Sequence, residues 1–224
     1  MYFSRITLSP SQIRKFLKTE IYGGLYDEHR LIWRFFPENE EQHRDFLYRK
    51  NDDSKTMQFF LLSERKPEND LDAFLIETKP FAPVIRKGAV YQFQLRANPV
   101  VTRMPEGKES KKRRRDDVYL DALAKNQALP AAEQITSQEV LTHSGSEWLI
   151  GRSEALGFSV NHVLVERYRR LQTRKKDTKM TFGIMDFSGV LTVTDEEPFR
   201  RSLLKGIGHG KAFGCGLLLL RRAI

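Results

Sequence analysis

Gly206-Ile207-Gly208-His209-Gly210-Lys211-Ala212-Phe213-Gly214-Cys215-Gly216, followed by Leu217-Leu218-Leu219-Leu220, is the stretch on which the reading of the fold turns. Five glycines in eleven residues remove Cβ atoms and admit φ > 0, so another backbone can come close. The apolar run is short enough for one buried strand. Upstream, Asp195-Glu196-Glu197 places acids at the positive end of a helix that carries Pro198 in its first turn and stops at Gly206. The stretch therefore runs helix, glycine loop, strand. A P-loop runs strand to helix, and one built on Gly210-Lys211 needs glycine at 205 and Ser or Thr at 212, where Lys205 and Ala212 stand. With basic charges around the loop, the expected visitor is a phosphate backbone and not a free mononucleotide.

Working outward, the rest of the chain supplies two rounds of one pattern. Residues 2–8 alternate as a strand, and Ser9-Pro10 is a helix start, cap then proline, for a helix to about Thr19 that Gly23-Gly24 breaks. A second helical segment, residues 25–36, stops before Pro37. Leu25, Ile32, Trp33 and Phe36 form its apolar stripe, and Tyr26, His29, Arg30 and Arg34 an adjoining polar strip. Strands at 46–50 and 57–62 flank the polar turn Asn51-Asp52-Asp53-Ser54, and a short helix near 68–74 leads to an extended segment at 75–79. The order β-α-β-β-α-β is the ferredoxin-like unit. Residues 81–88 read as a linker. Beyond it, residues 89–103 read as one long alternating strand and 107–117 as a charged loop. Helical material follows near 120–128 and 146–156, then a hairpin of 161–171 and 180–194 with its tip at 173–179. The expected architecture is α+β, two tandem ferredoxin-like (RRM-like) βαββαβ domains, 1–83 and 89–224.

Composition narrows the partners. The 224 residues carry 38 Lys plus Arg against 29 Asp plus Glu, a formal charge of +9. The excess is uneven: residues 1–110 hold 18 basic and 16 acidic side chains, residues 111–224 hold 20 and 13. Such a surplus suits polyanions. A single cysteine, Cys215, excludes an internal disulfide and a Cys-based zinc site and fits a reducing cytoplasm. With neither a leader pattern nor an apolar stretch of membrane length, the chain reads as soluble and intracellular, without a membrane partner.

Tyr26-Asp27-Glu28-His29-Arg30 is the candidate chemistry. Near neutral pH imidazole can accept and donate a proton, and arginine can stabilise charge developing on phosphorus. Such a group could cleave RNA without metal, one residue taking the 2′-OH proton and another protonating the leaving 5′-oxygen. The same spacing also suits a boundary histidine on an amphipathic helix, and spacing alone favours that plainer reading. His43, His143 and His162 lack acidic or cysteine neighbours at ligand spacing, so no metal and no cofactor is expected. His209 reads as a turn residue within reach of a phosphate. Two basic runs, Lys111-Lys112-Arg113-Arg114-Arg115 and residues 167–179 with Arg174, Lys175, Lys176 and Lys179, share a half with the glycine loop. Solvated faces carry such runs too, but together with the loop they favour nucleic acid binding.

Several of these stretches resemble the CasE endoribonucleases that process CRISPR RNA precursors in type I-E systems. The resemblance spans the chain: Met1-Tyr2-Phe3-Ser4; Leu25-Tyr26-x-x-His29 with Trp33 and Phe36-Pro37; Leu95-Arg96-Ala97-Asn98-Pro99; Gly189-Val190-Leu191-Thr192-Val193; and the terminal glycine loop. It implies metal-independent cutting at the 3′ base of a repeat hairpin, leaving a 2′,3′-cyclic phosphate and a 5′-hydroxyl. It also implies retention of the crRNA product and assembly with the other Cascade subunits. The family's catalytic histidine falls on His29 and its helix tyrosine on Tyr26, with Arg30 an arginine position of some members. Lys211, Gly208, Gly210, Arg113, Arg114, Arg115, Arg174, Lys175, Lys176 and Lys179 are the expected RNA-binding residues. A non-catalytic RNA-binding subunit of the same fold stays open beside the nuclease. A nucleotide-dependent enzyme is disfavoured by the failed loop patterns.

Overall fold

The computed structural model describes residues 1–12, 25–36, 43–68, 73–103, 114–175 and 178–223, without the side chains of 12, 25–27, 114, 173–175 and 178–180. In the first half, β1 (Tyr2–Leu8), β2 (Phe46–Lys50), β3 (Gln58–Ser63) and β4 (Phe74–Pro80) form one antiparallel sheet in the order β2-β3-β1-β4. Helix α1 (Leu25–Trp33) covers it. Its buried face is Leu31 and Ile32, continued by Phe35 and Phe36 just past its end, packed on Ile6, Tyr48, Phe59, Leu61 and Phe74. Burial of each such side chain contributes about 1.5–3 kcal/mol. The buried stripe thus includes Leu31 and Phe35 beside the expected Ile32 and Phe36, and Trp33 sits at its margin. Of the helix expected after Ser9-Pro10, only a 3-10 turn at Pro10–Gln12 is described; the remainder, with Gly23-Gly24, lies outside the described residues, as does most of the short helix near 68–74.

The second half repeats the strand order. β5 (Val90–Ala97), β8 (Phe158–Lys175), β9 (Thr178–Val193) and β10 (Leu218–Arg222) pair as β10-β5-β9-β8. Both sheets thus have first and third strands at the centre, the ferredoxin-like arrangement twice over. The expected long strand over 89–103 is broken. Pro99 has no N–H to continue a ladder, and Asn98 turns its side chain to donate to Gly183 O at 2.6 Å. After the break, β6 (Val100–Arg103) pairs with β7 (Arg114–Asp117), so the end of the presumed charged loop is strand. Helix α2 (Val118–Gln127) follows, capped by Asp117.

Helix α3 (Ser137–Ser153) begins well before the expected 146. Thr136 accepts from Glu139 N, and Glu139 reaches back to Thr136 N, a capping box legible in the sequence as Thr-x-x-Glu. At Gly145 an added Cβ would lie 2.9 Å from Val165, so the mid-helix glycine exists to bring α3 onto β8. The β8–β9 hairpin extends past both expected strands, with register shifts at Val160/His162 and Val165/Arg167. Helix α4 (Glu196–Lys205) then leads into the glycine loop.

The glycine loop is where the halves meet. Gly206, Gly208, Gly210, Gly214 and Gly216 all have φ between 73° and 90°. A Cβ on Gly206 would lie 2.9 Å from the Leu47 methyls of β2, and one on Gly214 would touch the Tyr48 ring. Tyr48 Oη donates to Ala212 O at 3.1 Å, and Leu47 and Leu62 cluster with Leu217. The loop closes on itself through Ile207 N to Gly216 O and docks on β5 through Gly216 N to Arg96 O. None of the described helices is long and apolar enough to cross a membrane.

Candidate active site

Helix α1 touches both β8 and the 3-10 turn Lys211–Phe213 inside the glycine loop. Glu28 fixes its azimuth: this nearly buried carboxylate accepts from Lys50 Nζ on β2 at 2.8 Å. One position on, His29 turns inward and is half-buried. Trp33 Nε1 donates to His29 Nε2 at 3.0 Å, the i+4 spacing of one helical face. Phe46 closes the far side, 5.0 Å from the Trp33 ring and 6.2 Å from His29. His29 Nδ1 is buried, with no hydrogen-bond partner among the described residues. Burial and then the charge of Arg44 hold the imidazole below its ordinary pKa. Arg30 and Arg34 point to solvent, so the strip read as one cluster divides between an inward histidine and outward arginines. Tyr26 lies on α1, and its side chain is outside the described ones.

Arg44 also acts on the glycine loop. The Lys211 ammonium, pushed down by burial, is pushed further by Arg44 and Lys205. Its Nζ donates to Lys205 O at 2.6 Å, a carbonyl at the negative end of α4. His209 is likewise lowered by burial and then by Arg115, Lys211 and Arg152. Arg115 and Lys211, two positions expected at RNA, and His209, read as a turn residue, therefore share one electropositive surface with Arg152, whose guanidinium lies 3.8 Å over Trp148. Gly208 and Gly210 shape the backbone there; His209 pairs with Asn98 in an isolated bridge. Arg114, Arg174, Lys175 and Lys179 have described backbone on β7, β8 and β9, while Arg113 and Lys176 fall outside the described residues.

Behind this surface runs an ion network between the sheets. Arg96 on β5 donates to both oxygens of Asp186 on β9 at 2.7 and 3.0 Å, and to Asp52 of the β2–β3 turn at 2.7 Å. Arg169 on β8 shares both carboxylates, at 2.8 Å to Asp52 and 3.3 Å to Asp186, and Arg49 stands 3.8 Å from Asp186. Burial raises Asp52, but Arg96 and Arg169 outweigh it and its pKa ends below the ordinary value. Arg49 Nη1 and Arg169 Nε remain buried without partners among the described residues. The sequence pointed to Arg96 only by resemblance and to Asp52 only as a turn residue. No local pattern reports that the two meet across 44 positions.

Two tandem ferredoxin-like units joined at a basic glycine loop, with a buried-edge histidine beside the joint, define the class. The chain belongs to the CRISPR associated protein family, whose model matches residues 1–222. It is 27% identical over 223 residues to the CRISPR system Cascade subunit CasE of Escherichia coli (strain K12), covering 98% of each chain. Over 140 residues, 62% of this chain and 59% of the relative, it is 28% identical to the CRISPR-associated endoribonuclease Cse3 of Thermus thermophilus. Among solved structures, CRISPR endoribonuclease Cse3 bound to 19 nt RNA matches with a TM-score of 0.68 at 24% identity, covering 99% of this chain and 100% of that one. The fold is the same in that structure.

Proposed function

We propose that this chain is a CRISPR precursor-RNA endoribonuclease. It binds the repeat stem-loop, cuts at the 3′ base of the hairpin without a metal ion, and stays with the crRNA and the other Cascade subunits in the cytoplasm. The chain would divide into domains at 1–83 and 89–224. In the reaction the 2′-hydroxyl loses its proton as its oxygen bonds to the adjacent phosphorus. The bond to the 5′-oxygen breaks and that oxygen gains a proton, leaving a 2′,3′-cyclic phosphate and a 5′-hydroxyl. His29 moves one of these protons, assisted by Tyr26 and the solvent-facing Arg30 of the same helix; Lys211 and the basic strands hold the phosphates. The observation that carries this reading is convergence: α1, which holds His29, packs on both β8 and the 3-10 turn that holds Lys211. The names of the relatives, a Cascade subunit and an endoribonuclease, support it.

One observation favours the non-catalytic RNA-binding subunit: Nε2 of His29 is occupied by Trp33 and Nδ1 is buried. A labelled repeat hairpin, with and without excess EDTA, decides between them. We expect cutting in EDTA and loss of cutting, with binding retained, in His29→Ala; a general acid or base typically supplies about 10²–10⁴-fold. A 2′-deoxy sugar 5′ of the scissile phosphate should block cutting and permit binding. Fast cutting of that substrate would make water the nucleophile and overturn the mechanism.

A further inference from the structure

Trp148 on α3 is a fixed ring. It is buried, stacks on Phe187 at 5.8 Å, and its Nε1 donates to Val100 O at 3.3 Å. One turn further along α3, the Arg152 guanidinium lies 3.8 Å over that ring and donates to Trp148 O. The indole therefore sets where the guanidinium sits. Arg152 is half-buried, and burial alone lowers its pKa; no acidic side chain among the described residues acts against it. Arg5, Arg65, Arg96 and Arg103, by contrast, each hold a carboxylate. A guanidinium drawn out of water without a counter-charge is unfavourable, and an anion arriving from outside relieves it. Only one of its N–H donors is engaged, so the rest of the fork has no acceptor among the described residues.

The glycine loop adjoins this pair. A Cβ on Gly208 would lie 3.4 Å from the Trp148 indole, and Gly208 and His209 are both exposed. The charge of Arg152 reaches His209, as do those of Arg115 and Lys211. We propose that Arg152 is an RNA-binding residue, its guanidinium preset on Trp148 to take one phosphate of the bound RNA beside Gly208 and His209. The proposal deepens the reading of this chain as a hairpin-binding protein and rests on it. The planar fork suits two phosphate oxygens, and a side chain placed before binding has little freedom left to lose. With no side chain at Gly208, a phosphodiester can come against the loop backbone. The plainer role for a last-turn arginine is to serve the negative end of α3, and the bond to Trp148 O is all that role needs.

Arg152→Gln removes the charge and keeps a side-chain N–H for Trp148 O; Arg152→Lys keeps the charge and loses the fork. On a repeat hairpin with a 2′-deoxy sugar 5′ of the scissile phosphate, we expect Kd to rise roughly ten-fold in Arg152→Gln and by less in Arg152→Lys, with melting temperatures unchanged. Hairpins that each carry one uncharged methylphosphonate, walked along the strand, locate the phosphate. At one position the substitution should weaken binding to the unaltered chain about as much as Arg152→Gln does, and should cost Arg152→Gln nothing further. An unchanged Kd in a folded Arg152→Gln overturns the proposal. So does a weakened Kd that no methylphosphonate position shares, which leaves Arg152 the helix-end role alone. An unmodified hairpin that is bound but not cut would overturn the nuclease reading instead and leave the Arg152 result standing.

Discussion

At the scale of single residues, Gly208 and Lys211 separate two jobs that lie three positions apart. Gly208 has φ of +77° and space for a Cβ, since the nearest atoms, on Trp148, are 3.4 Å away. Alanine there meets no clash, only a backbone conformation that costs about 1–3 kcal/mol. Lys211 takes an ordinary place in the 3-10 turn, and its one described bond, to Lys205 O, is worth about 1 kcal/mol net. We therefore expect Gly208→Ala to lower the melting temperature of the free protein more than Lys211→Ala does. Lys211→Ala should raise the hairpin Kd several-fold, because its ammonium, in the field of Arg44 and Lys205, gains from the approach of a phosphate. Thermal unfolding and binding measured on both variants test this. Unchanged affinity in Lys211→Ala would confine the loop to joining the halves.

At the scale of elements, the β2–β3 turn and the strands β5, β8 and β9 are joined by charges that work as a unit. Removing Asp186 would leave Arg96 buried beside too few carboxylates, a loss of roughly 3–5 kcal/mol. Asp52 is more exposed and its loss costs less, but it ties the first sheet into the network, as Arg49 does from β2. Its folded pKa lies below the unfolded 3.8, so it stabilises the fold above pH 3.8 and that contribution fades as pH falls through the folded value. Asp52→Asn should flatten the acid limb of a stability–pH curve below about pH 4 and reduce hairpin cutting more than hairpin binding, since it loosens α1 relative to β8. An acid limb identical to that of the unaltered chain would remove Asp52 from this role. Elements themselves are legible wherever periodicity or a cap announces them: β1, α1, α2 and α4 lie where the sequence puts them. The start of α3 is signalled by Thr136 and Glu139, but Ser144 and Gly145 obscure the apolar face that would confirm it. His29 is visible as a candidate, and Trp33 is visible as part of a stripe and of the family resemblance, without a role of its own. The roles of Arg44, Asp52 and Asp186 are not visible at all, because ion pairs between sheets leave no periodic trace.

At the scale of the whole molecule, the formal surplus of +9 is distributed by pairing as well as by sequence. In the first half several basic side chains are spoken for: Arg5 holds Glu77 through two bonds of 2.6 and 2.7 Å, Arg65 holds Asp45, and Lys50 holds Glu28. On β8, by contrast, Arg167 is half exposed at 3.9 Å from Asp52, and Arg170 is exposed, while Arg169 is drawn into the network behind them. A polyanion that releases counterions from its phosphates should therefore feel Arg170 and Arg167 and ignore Arg5. Affinity for the hairpin should fall steeply with salt, log K dropping by roughly 0.7–0.9 per neutralised phosphate for each log unit. Arg170→Ala should reduce that slope by about one such increment, because one phosphate contact is lost with its counterion. Arg5→Ala should leave the slope unchanged, since its charge is already balanced by Glu77. Binding isotherms of the three proteins over a salt series give the slopes directly. Equal flattening by Arg5→Ala and Arg170→Ala would mean that the RNA answers to net charge alone, and the basic strand would lose its claim to be a groove.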